Sequence, residues 1–158
     1  MKRLCFVLSL AFVLSGCTRT ARFYPVQGPL SAQTPTPVLL GKVNGFESGT
    51  ISVTTSEGEV CKGHWAIVPR AEVPKGASAA ALPANPMAPI WDSVYGPGYY
   101  VAHVLGARQY ARATVKGSRG TTMDVEIYEA DTHFETASLD AVKGVAKDNK
   151  DNIYKLAF

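Results

Sequence analysis

Across most of the chain, apolar and polar residues alternate in short runs separated by glycine-containing turns, the pattern of strands that bury one face. Residues 38–43 form the first run, which the tight-turn pair Asn44-Gly45 ends. Residues 50–54 repeat the period of two and stop at Glu57-Gly58. In residues 59–68 the alternation puts Cys61, Trp65 and Ile67 on the expected core face and turns His64 outward. Residues 110–116 and 121–129 read as a hairpin about the turn 117–120, with Met123, Val125 and Ile127 on one face and Asp124, Glu126 and Tyr128 on the other. A last hairpin joins residues 142–146 and 152–158 across the turn-rich 147–151, and residues 130–141 connect the two pairs. Residues 99–105 fit either a strand or a short helix. Residues 89–95 predict a short helix opened by Pro89 and stopped by Gly96-Pro97, with Trp91 and Tyr95 four apart on one face. The expected fold is mainly β, a small antiparallel β-sandwich or barrel of about seven strands with a loop and short-helix excursion. Gly45, Gly49 and Thr50 are echoed by Gly117, Gly120 and Thr121, each glycine pair introducing an alternating strand.

Composition supports one domain: 158 residues, 46% hydrophobic and 18% charged. Gly 14 and Pro 10 favour strands and turns over long helices. Residues 38–158 read as a single β-rich domain, interrupted at 72–98 by a Pro- and Ala-rich excursion. Residues 17–37 carry Pro25, Pro29, Pro35 and Pro37 among Thr, Ser and Gln and are expected as an extended tether. Twenty such residues reach no more than about 65 Å. Within them, residues 22–26 are apolar enough to dock as an edge strand instead.

Residues 1–16 read as a secretory leader: Lys2 and Arg3 precede an apolar run too short to anchor by spanning. The run ends Leu14-Ser15-Gly16-Cys17, which resembles the lipobox of bacterial lipoproteins. That resemblance implies cleavage before Cys17, acylation of its thiol and amine, and, with Thr18 rather than Asp following, sorting to the outer membrane with the domain in the periplasm. The alternative is an ordinary secretory signal with Cys17 left free. Stretches 58–65 and 144–154 are similar to small uncharacterised outer-membrane lipoproteins of Gram-negative bacteria, a resemblance that implies the same address and a β-rich fold.

Charge changes once the leader is set aside, because Lys2 and Arg3 leave 14 basic against 13 acidic side chains. Neither this balance nor the address suits nucleic acid. Arg108, Arg112, Lys116 and Arg119 fall close together and read as a solvated face, with a lipid A or glycan contact as the alternative. Cys61 is the one cysteine left after Cys5 departs and Cys17 is modified, so no intramolecular disulfide is expected. It reads as a buried small hydrophobe; an intermolecular disulfide and a reactive thiol are the alternatives.

Catalytic patterns are weak. His64, His103 and His133 are dispersed and lack zinc-ligand spacing, and the chain has no G-x-S-x-G. Asp124, Glu126 and Glu129 are expected as solvated carboxylates, and Asp148 to Asn152 as a plain hairpin turn rather than a calcium loop, since Lys150 stands where a ligand is needed. Tyr154, Leu156 and Phe158 alternate like the last strand of an outer-membrane barrel, or like a strand facing a core. The expectation is therefore a non-enzymatic lipoprotein with no cofactor and no metal. It would be held to the membrane by its lipid anchor and contact a protein, peptidoglycan or glycolipid, with Trp91 and Tyr95 as candidate partner contacts or, alternatively, as a seal on the core edge. The competing class is a small envelope enzyme or a lysozyme-inhibitor-like protein.

Overall fold

Each period-two run becomes a strand. In the computed structural model, which describes residues 18–68, 85–105, 107, 109–130 and 141–158, the strands are β1 (Thr18–Gln27), β2 (Leu39–Gly45), β3 (Ser48–Thr54), β4 (Val60–Ile67), β5 (Gln109–Lys116), β6 (Thr122–Glu129), β7 (Val142–Asp148) and β8 (Ile153–Ala157). They pair antiparallel in chain order, and β1 closes on β8 to give an eight-stranded barrel. Closure leaves no unpaired edge.

The strand beyond the expected seven is β1: residues 22–26 join the sheet, as the docked-strand alternative held, and the strand takes the place of the first part of the expected tether. Ala21 and Phe23 point into the barrel and are fully buried, while Arg22 and Tyr24 point out. Pro25 is tolerated because the ladder with β8 shifts register between Pro25 and Gln27, where a missing N–H does least harm. The first described residue, Thr18, already pairs with Asn44.

The interior is filled by side chains. Phe23, Ile51, Val53, Cys61, Val115, Met123, Val125, Tyr154 and Leu156 form one buried cluster, and Gly41 leaves the space that the Phe23 ring occupies. Tyr154 and Leu156 thus face a core, as one of the two readings of the last strand held. Outward positions carry Arg22, Lys42, Lys62, Arg112, Lys116, Asp124, Lys147 and Lys155 interspersed with exposed Tyr24, Leu40 and Val60, a mixed wall unlike a spanning barrel's apolar outer band. Among the described residues no helix is long and apolar enough to cross a membrane.

A second apolar cluster lies outside the barrel. Helix α1 (Ala88–Tyr95) and a π-helical turn (Tyr100–Val104) occupy the β4–β5 connection, the latter settling residues 99–105 as helical. Met87, Ile90, Trp91 and Val104 pack on Tyr128 and Val145, the outward residues of β6 and β7. Gly96, at φ 114°, ends α1 with its N–H on the Asp92 carbonyl, and the Asp92 side chain accepts from Tyr100 N at 2.9 Å, joining the two helical pieces.

Candidate functional site

The hairpin register of β5 and β6 sets the outer wall in rungs: Tyr110 opposite Tyr128, Arg112 opposite Glu126, and Thr114 opposite Asp124. Alternation was expected to leave Glu126 solvated, but α1 covers it and it is 2% exposed. A buried carboxylate survives only when its oxygens are bonded. One oxygen of Glu126 accepts from Trp91 Nε1 at 2.7 Å and from Asn85 Nδ2 at 3.4 Å, and the other from Arg112 Nε at 2.9 Å. Glu126 therefore clamps the helix to the barrel.

Beside this clamp opens a groove of about 320 Å³, lined by His64, Asn85, Met87, Arg112, Thr114, Asp124 and Glu126 among others. The Tyr110 hydroxyl accepts from Arg112 Nε at 2.7 Å and from Asn85 Nδ2 at 3.2 Å, and the guanidinium carbon lies 5.1 Å from the centre of the Tyr110 ring. Burial, then hydrogen bonding to Glu126, pushes the Tyr110 phenol well above its usual range, so it stays neutral. Among the described residues the Arg112 Nη groups make no hydrogen bond, and the side chain is 44% exposed. The result is a guanidinium with a fixed base and an available fork, suited to a carboxylate or phosphate. Thr114 Oγ1 donates to Asp124 at 2.6 Å, so hydroxyl and carboxylate are held together on the groove floor, with His64 exposed on the neighbouring strand.

The opposite flank of α1 carries an aromatic ladder. Trp91 and Tyr95 stack at 5.6 Å, Tyr95 and Tyr99 at 4.7 Å, and Tyr99 meets His103 at 4.6 Å. Lys143 Nζ lies 5.7 Å from the Tyr95 ring centre and Lys155 Nζ 5.2 Å, both within cation–π range. Of the two candidate partner contacts, Trp91 follows the alternative reading as a seal on the core: it is fully buried, with Tyr128 edge-on to it. Tyr95 is half-buried, and its hydroxyl donates to the Gly144 carbonyl at 3.3 Å. Burial and the neighbouring Tyr99 push its phenol up to about 12. Tyr99 and His103 were missed in the sequence although the four-residue spacing from Trp91 runs straight on to them; Gly96-Pro97 hid it by reading as a stop.

The remaining candidates disperse. Cys61 lies fully buried on the core face, and desolvation, then Glu59, raises its thiol and disfavours the thiolate. Lys116 and Arg112 stand on β5, whereas Arg119 lies in the β5–β6 turn, binding the Glu57 carbonyl; Arg108 and His133 fall outside the described residues. Among the described residues no group of three His, Cys, Asp or Glu could hold a metal ion, and every buried side-chain nitrogen and oxygen has a partner. Asp148 organises its turn, accepting from Lys150 N, Asn152 N, Asn152 Nδ2 and Tyr154 OH. Comparison with protein-family models, curated proteins and solved structures finds no match to this chain.

Proposed function

We propose that this chain is a lipid-anchored lipoprotein of the outer membrane, with Cys17 acylated and the barrel in the periplasm, and that it acts as a non-enzymatic interaction module for a protein, peptidoglycan or glycolipid partner. The leader and lipobox support the address. A barrel interior filled by side chains leaves recognition to the outer wall. The observation that carries the reading is the groove beside α1, where Tyr110 and Glu126 hold the base of Arg112 and leave its fork available, next to His64 and Asp124. Such a site recognises an acidic or hydrogen-bonding group without transforming it.

Photocrosslinking from position 64 in growing cells tests the proposal. A discrete adduct that weakens in Arg112→Lys and is absent from a control position on β2 is expected. Equal, diffuse labelling from both positions would overturn it.

A further inference from the structure

The two ends of the barrel differ, and the anchor enters at one of them. Antiparallel topology puts the start of β1, the β2–β3 turn, the end of β4 and the end of β8 at the same end. Cys17 is one peptide bond from Thr18, which is paired with Asn44 and bonded to its side chain. Nothing therefore separates the proposed acyl anchor from the barrel wall. The twenty-residue tether that would let the domain stand clear is β1 and the connection that follows it.

Among the described residues, that end presents one large apolar side chain to solvent amid polar ones. Phe46, at the tip of the β2–β3 turn, is 90% exposed. The turn that presents it is fixed: Gly45 sits at φ 112°, a side chain on Gly49 would strike the Asn44 carbonyl, and Trp65 Nε1 donates to that same carbonyl at 2.9 Å. Trp65, Ile127 and Phe158, partly buried, pack against the barrel core toward the same end. Arg19 and Lys42 are exposed within the first turns of the same end, near Glu47. A rigidly held, solvent-exposed phenylalanine beside a lipid attachment point has a nearby apolar phase to enter, the boundary between headgroups and acyl chains.

We propose that the barrel docks end-on against the bilayer surface, with Phe46 inserted in the interfacial layer and the β3–β4 turn facing away. This rests on the anchor reading above and adds an orientation to it. An environment-sensitive fluorophore is placed by Phe46→Cys or, at the opposite end, Ser56→Cys, each in a Cys61→Ala background. The acylated protein is then reconstituted in phosphatidylethanolamine–phosphatidylglycerol vesicles. A blue shift and several-fold stronger quenching by spin-labelled lipid at position 46 than at 56 are expected. Intact mass of the natural mature protein separates the two claims. An unacylated Cys17 removes the anchor and the proposal with it, whereas an acylated protein with equal quenching at both positions overturns the docking alone. As Phe46 touches little of the fold, Phe46→Asp should keep the native melting temperature and abolish protection of the β2–β3 turn from added protease; retained protection would also count against docking.

Discussion

The end of the barrel that holds the β3–β4 and β7–β8 turns and the end that holds Phe46 are closed by different chemistry. At the first, the four connections bind one another. Leu30 N donates to Asn152, Thr121 Oγ1 to the buried Glu59, Lys150 Nζ to Glu57, and Asp148 gathers the β7–β8 turn around Tyr154 OH. Gly117 is required there because a Cβ would overlap the Glu59 carboxylate. At the second, the described closures are rings and aliphatic groups, pinned by the Trp65 to Asn44 bond. The first end satisfies its own buried polar groups, while Val26, Val38 and Val60 stand exposed on its rim. Among the described residues the Phe46 end leaves one large apolar side chain almost fully in water, the one assigned above to the proposed bilayer contact.

Breaking the polar end should cost most. Asp148→Ala leaves Asn152 Nδ2 and Tyr154 OH buried without an acceptor, and each unmade buried bond costs about 1–3 kcal/mol. Urea unfolding should show a loss on the order of 3 kcal/mol with an unchanged slope. A loss within error would mean that this network does not lock the end.

Acid probes the same end more gently. Bonds from Thr121 and Arg119 hold the Glu59 carboxyl below its ordinary 4.5. The native state therefore favours the carboxylate: the stabilisation is complete above the unfolded-state value and is lost as pH falls through the lower, folded one. Melting temperature should decline from about pH 4.5 downward. Thr121→Val should flatten that decline; an identical acid profile in this variant would contradict the assignment.

A smaller effect is expected inside. Cys61 should resist thiol reagents in the native barrel and react quickly in urea, because burial blocks access and disfavours the thiolate. Fast native labelling would show that the barrel opens readily. Smallest of all is Phe46→Ser, which should shift stability by no more than about 0.5 kcal/mol in detergent-free buffer, as exposed substitutions do. A marked destabilisation would show that Phe46 serves the fold and not a surface.

Alternation was legible wherever one strand face is buried and the other wet, and β2 to β8 follow from it with ends within a few residues. It left β1 open between strand and tether, because Tyr24 and Val26 are apolar yet point outward, Pro25 sits in the ladder, and a Thr/Pro-rich continuation reads as linker. The Glu126 clamp was illegible for a different reason. A carboxylate between Val125 and Ile127 looks solvated by parity, and its burial depends on a helix arriving from 35 residues away. Trp91 is the other half of that bond. An aromatic at helical spacing has the same local signature whether it seals a core or meets a partner; only the covering partner, here Glu126 and Tyr128, decides.

The central claim is that the chain passes from anchor to barrel wall without a spacer, and neutron reflectometry of the acylated protein on a supported bilayer tests it most directly. Protein density should start at the headgroups, with no hydrated layer between. A water-filled gap beneath the protein, up to the roughly 65 Å that twenty extended residues span, would contradict it.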